Sequence, residues 1–131
     1  MPLTADDRLD ILDLLARYNH AIDDADTDAW LACWTDDGVY EFPPDRRHAG
    51  REELRAAAET RAADASRPAS RHWLNSIVIE GDGDAARVTC YLALVRPEMP
   101  PRINHTGRYD LEARKVGGQW KFCRRTLLRG V

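Results

Sequence analysis

Long apolar runs are missing from this chain: no stretch approaches the roughly 18 consecutive apolar residues that a membrane-spanning helix needs. The first residues, Met1 to Asp7, carry neither a basic segment nor an apolar one, so no export signal is expected and the expected location is cytoplasmic. Cysteine is scarce and odd in number. Cys33, Cys90 and Cys123 lie far apart in apolar segments and read as reduced core thiols, which excludes a disulfide framework. Charge of one sign never accumulates either: 19 basic against 22 acidic residues leave a formal net charge of −3. No run of either sign is long enough to suggest a nucleic-acid partner. The four histidines, His20, His48, His72 and His105, show no paired spacing on one helix, and no glycine-rich phosphate loop is present. Neither a metal nor a nucleotide cofactor is expected.

What is present is enough for one core. With 131 residues and 44% hydrophobic content the chain fits a single domain spanning residues 1–131. Thr4 and Asp7 form a capping box with Asp in place of Glu, followed by Leu9, Ile11, Leu12, Leu14, Leu15, Tyr18 and Ile22 at helical spacing. That pattern predicts a helix over residues 5–24. The acidic cluster from Asp23 to Asp28 breaks it. Asp26 or Thr27 then caps a second helix carrying Trp30, Leu31, Cys33 and Trp34. A turn is expected at Asp36 to Gly38, a short strand over 39–42, and a loop over 43–50 because Pro43 and Pro44 cannot donate to a ladder. Gly50 opens a third helix over 51–63, with Glu52 and Glu53 placed favourably in its first turn.

After Pro68 the periodicity changes from 3.6 to 2. Strands are predicted over 70–80, 85–95, 104–115 and 119–128, joined by the hairpin residues Gly81 to Asp84, a proline-bearing loop over 96–101 and the Gly117-Gly118 turn. His72 should share a strand face with Leu74, Ser76 and Val78, and His105 with Tyr109. The architecture expected from this order is α+β, an antiparallel curved sheet whose concave face is covered by helices.

Asp23 and His72 are the residues that carry chemistry. A carboxylate that orients an imidazole makes a general base. By residue pattern alone each also has a plainer reading: Asp23 as a helix terminator, His72 as a satisfied core histidine, Tyr18 as a packing residue of the helix stripe.

Taken together, the run from Leu9 to Asp23, the Trp30 to Trp34 segment, Asp36-Asp37-Gly38, Gly50 to Leu54, His72, Gly107 to Tyr109 and Gly118 to Phe122 resemble the SnoaL-like branch of the nuclear-transport-factor-2-like superfamily. The resemblance covers nearly the whole chain. It implies a cone-shaped, antiparallel or mixed sheet around a deep apolar pocket closed by the N-terminal helices, often assembled as a homodimer or homotrimer. Within the superfamily, scytalone dehydratase, hexachlorocyclohexane dehydrochlorinase and the bile acid 7α-dehydratase are lyases with an Asp-His base, and Asp23 and His72 match those positions, with Tyr18 as an assisting donor. The implied ligand is a small hydrophobic molecule, such as a steroid, terpenoid or polyketide. The resemblance places a substrate-binding arginine on the last strand at Arg129, with Arg124 and Arg125 as rivals, since Arg129 has the wrong parity relative to Trp120 and Phe122 unless a bulge intervenes. His105, Tyr109, Trp34 and Phe42 complete the expected lining. Phe42 occupies the position of the ketosteroid-isomerase carboxylate and cannot take a proton, which disfavours that mechanism. A polyketide cyclase, an isomerase and a non-catalytic binding or accessory protein are the alternatives.

Overall fold

In the computed structural model, which describes residues 1–130, three helices pack against a curved, unclosed six-stranded sheet. The elements are α1 (Ala5–Asp23), α2 (Thr27–Ala32), β1 (Trp34–Phe42), β2 (Arg46–Ala49), α3 (Arg51–Ala63), β3 (Arg71–Asp82), β4 (Ala85–Arg96), β5 (Arg102–Val116) and β6 (Gln119–Arg129). The sheet order is β2-β1-β6-β5-β4-β3. All neighbours are antiparallel except β1 and β6, which run parallel, so the sheet is mixed. No helix among the described residues is long and apolar enough to cross a membrane.

Helix α1 begins where its capping box says. The Asp7 amide donates to Thr4 Oγ1 and the Thr4 amide donates to Asp7 Oδ2, each at 3.0 Å. Asp7 Oδ1 also accepts from Trp120 Nε1 at 3.0 Å and Lys115 Nζ at 3.1 Å, tying the start of the helix to the β5–β6 hairpin. The Thr4 amide, then Trp120 and Lys115, hold the Asp7 carboxyl well below the usual carboxylate range. The buried stripe runs through Ile11, Leu14, Leu15, Tyr18 and Ile22, whereas Leu9 and Leu12 face outward.

Asp26, not Thr27, caps α2, its Oδ1 accepting from the Ala29 amide at 3.1 Å. Trp34, expected in that helix, is instead the first residue of β1 and pairs with Phe122. The turn expected at Asp36 to Gly38 lies inside β1 as a break in register: Trp34 is opposite Phe122, but Val39 is opposite Arg124. The expected loop over 43–50 contains the edge strand β2, which pairs back on β1 with His48 opposite Tyr40. A four-residue charged segment has no periodicity of its own, so only its partner strand defines it.

Bulges in β3 and β6 reset which side chains face inward. In β3 the register jumps from Asn75 opposite Tyr91 to Val78 opposite Thr89, with Ser76 at φ 53°. The expected face of His72, Leu74, Ser76 and Val78 is therefore split, with Leu74 and Ile79 packed on the core and Val78 turned outward. In β6, Arg124 is opposite Glu112 but Phe122 is opposite Ala113, so Cys123 is the extra residue. Trp120 and Phe122 face inward before the bulge, and Arg125 and Leu127 face inward after it.

Candidate active site

The end of α1 meets the start of β3. Asp23, the last residue of the helix, accepts from the His72 backbone amide through Oδ2 at 3.2 Å, and its Oδ1 lies 2.5 Å from His72 Nδ1. Both side chains are about nine-tenths enclosed, with 10% of His72 and 11% of Asp23 exposed. A carboxylate at Nδ1 selects the tautomer with its proton there and leaves Nε2 as the basic atom. No group among the described residues takes a hydrogen bond from or gives one to Nε2.

His72 lines a cavity of about 730 Å³ between the concave face of the sheet and helices α2 and α3. Three adjacent strands carry His72, Leu94 and His105 directly opposite one another, all lining this space. His105 Nδ1 is buried without a partner. Burial, and then the charges of Arg129, His72 and Arg96, hold the His105 imidazole below its usual range. Phe42 also lines the cavity, with the Arg46 guanidinium 5.4 Å and the Arg129 guanidinium 4.5 Å from its ring centre.

Other expected site residues sit elsewhere. Tyr18 and Trp34 are wholly enclosed in an aromatic core with Trp30 and Phe122, Tyr18 lying 5.9 Å from Trp34 and 5.6 Å from Phe122 between ring centres. Tyr109 is equally enclosed. None of the three is among the cavity-lining side chains, because the helix stripe and inward strand parity that singled them out also describe core packing. Burial pushes the phenols of Tyr18 and Tyr109 up, against the opposing pull of Arg125, and neither hydroxyl has a partner.

The bulge at Cys123 decides among the three arginines. Arg124 turns outward, its Nη2 donating to Glu41 Oε1 at 2.6 Å, while Arg125 and Arg129 both line the cavity. Arg125 is only 2% exposed. Its guanidinium carbon lies 4.2 Å from the Tyr40 ring centre and 4.7 Å from that of Tyr109. Tyr40, which sequence reasoning passed over, is the tyrosine that lines the cavity. Its burial opposes ionisation, but Arg125, Arg61 and Arg46 outweigh that and hold the phenol below its usual range. Its alternation with Phe42 along a short strand was too brief a signal to single it out.

The profile of the SnoaL-like domain matches residues 3–126. The chain belongs to the SnoaL-like family. A search of curated proteins found no match. Among solved structures, a cystatin-like-fold protein of unknown function from Nostoc punctiforme is 28% identical over 98% of this chain and 95% of its own, with a TM-score of 0.87. A protein of unknown function from Mycobacterium tuberculosis is 31% identical over 92% of this chain and 70% of its own, with a TM-score of 0.81. A scytalone dehydratase-like protein from Novosphingobium aromaticivorans is 23% identical over 95% of this chain and 84% of its own, with a TM-score of 0.82, a likeness of fold. In this SnoaL-like chain the cavity departs from the apolar pocket the resemblance implies. Arg46, Arg61, Arg67, Arg125 and Arg129 all reach its lining, brought there from β2, α3, the segment after α3 and β6.

Proposed function

We propose that this SnoaL-like protein is a cofactor-independent lyase of the dehydratase type, with His72 as base and Asp23 as the group that orients it. The observation that carries the reading is the 2.5 Å contact between Asp23 Oδ1 and His72 Nδ1, nine-tenths enclosed at the wall of a cavity large enough for a small organic molecule. His72 Nε2 takes a proton from a carbon next to a carbonyl, and the electron pair passes into the carbonyl as an enolate. The enolate collapses to a carbon–carbon double bond and expels a neighbouring hydroxyl, which leaves as water with the proton returned by the imidazolium. His105, kept neutral by its surroundings, donates an N–H to the enolate oxygen. Tyr40, the tyrosine of the lining, pairs with Arg125 at the other end of the cavity, so the donor role expected of Tyr18 is not passed to it. The substrate is a small hydrophobic hydroxylated or carbonyl-bearing molecule.

The test is mass-spectrometric turnover of a panel of hydroxylated steroids, terpenoids and polyketide-like ketones, in neutral and carboxylated forms, with wild type beside Asp23→Asn and His72→Ala. Water loss by the wild type that both folded variants abolish supports the dyad. Turnover that survives in His72→Ala removes it.

We also propose a homodimer through the convex face of the sheet. Trp73 is 61% exposed there, Tyr91 51%, Val78 51% and Leu128 42%. Tyr91 and Leu128 lie in one row across β4, β5 and β6 through Arg108. The exposed apolar side chains of β3 and β4, Trp73, Val78 and Tyr91, with Leu128 beyond Arg108, suit this face to a second copy.

A further inference from the structure

The positive charge in the cavity is local. The whole chain carries a formal net charge of −3, yet five arginines line this cavity against two carboxylates, Glu53 and Asp64. Asp64 is engaged by Ser66, whose amide and hydroxyl donate to Oδ1 at 3.1 and 2.6 Å.

Four of the five arginines reach solvent in part, and long cationic side chains at a cavity rim need no further explanation. Arg125 is different. It is 2% exposed, it cannot lose its proton, and its Nε and Nη1 have no hydrogen-bond partner. The nearest acid on the neighbouring strand, Glu41, is turned to the other face of the sheet, where it accepts from Arg124 and Thr126. The Tyr40 and Tyr109 rings attract the charge through their π faces and their phenols lie near enough to pull on it, but neither is an anion that answers the guanidinium. The hydroxyls of Tyr18 and Tyr109 are enclosed without partners in the same region. A buried guanidinium is kept charged at a cost of several kcal/mol unless an anion answers it, and its planar fork matches a carboxylate in particular.

We infer that the ligand of this cavity is a hydrophobic carboxylic acid whose carboxylate seats on Arg125, with its apolar body against Leu92, Leu94 and Phe42. The inference rests on reading this cavity as the site where His72 acts, and it narrows the substrate to anions. It also gives the bound molecule a direction. Leu94 lies opposite His72, while Arg125 pairs with Leu111 and that with Val88, six residues further along β4. At an extended rise that offset is roughly 20 Å along the strands, with three strand spacings of about 4.8 Å between β3 and β6 across them, both shortened by the curvature of the sheet and by two side chains reaching into one space. The acid enters carboxylate first, and the carbon to be deprotonated lies at the opposite end, between His72 and His105.

Isothermal titration calorimetry of the purified protein with a naphthoate and the matching naphthalenemethanol tests this without turnover. The wild type should bind the acid about tenfold to a hundredfold more tightly than the alcohol, the range of a charge-assisted bond to a buried guanidinium. Arg125→Met, shown folded by near-ultraviolet circular dichroism, should lose that preference while keeping its affinity for the alcohol. Arg124→Met, altered on the opposite face, should keep the preference. Equal affinities in the wild type overturn the inference whether or not Arg125→Met folds, and so does a preference that persists in folded Arg125→Met. Binding and turnover separate the two proposals: an acid preference in a wild type that turns over none of the panel keeps this inference and removes the lyase reading.

Discussion

Asp23 reaches His72 because a helix end and a strand start, 49 residues apart in sequence, are held by two bonds to one carboxylate. Replacing it with asparagine keeps the shape but removes the charge that stabilises an imidazolium. Asp23→Asn is expected to lower kcat/KM by about a hundredfold to ten-thousandfold, with unchanged circular dichroism. Measured turnover within threefold of wild type would discard the orienting role. His105 yields a prediction in pH. Its imidazole is held below its usual range by burial and by Arg129, His72 and Arg96, so the folded state resists a proton that the unfolded chain accepts. The stability tied to neutral His105 is therefore complete above about pH 6.5 and is lost as pH falls from there through the lower folded value. His105→Gln should flatten that part of the stability curve in urea titrations at successive pH values. His72 and His105 were both legible as residues in the sequence, because a histidine at inward parity on an apolar strand stands out. Tyr40 and the buried state of Arg125 were not, since neither follows from any local pattern.

At the scale of elements, caps and bulges do different work. The Thr4–Asp7 capping box is a local device, visible in four residues of sequence. Thr4→Ala should cost about 1 kcal/mol, read as a fall of roughly 4 °C in thermal midpoint. Asp7 adds a pH dependence: its carboxyl is held low by the Thr4 amide, Trp120 and Lys115, so its contribution is present above about pH 4, the unfolded carboxylate value, and is lost as pH falls towards the lower folded value. Asp7→Asn should remove the acid-side slope of the unfolding curve attributable to this group. The bulge at Cys123 is not visible in this way. An extra strand residue looks like any other until its partner is in place, and here it reverses the parity of every residue after it. Inserting one alanine after Cys123 should turn Arg124 inward and Arg125 and Leu127 out, and the insertion protein should lose its near-ultraviolet circular dichroism. A native-like spectrum with acid binding intact would show that the bulge does not set the inward face.

Over the whole molecule the two faces of the sheet are unlike. The concave face carries the cavity, and the convex face carries Trp73, Tyr91, Val78 and Leu128 in the open. Light scattering behind a sizing column should give twice the chain mass for wild type and the single-chain mass for Tyr91→Lys combined with Trp73→Lys. A monomeric wild type at micromolar concentration would dismiss this interface. From the sequence alone came the first helix and its cap, the third helix, the change to a period of two, and Asp23 and His72 as candidates, with their pairing implied by the family resemblance. Those depend on local spacing and on residue types that advertise their chemistry. Only the assembled fold settled the edge strand β2, the place of Trp34 in β1, the bulges of β3 and β6 and the enclosure of Tyr18. It also decided the gathering of arginines from four parts of the chain around one cavity. Register and burial are properties of a strand and its neighbours together, so no single segment of sequence contains them.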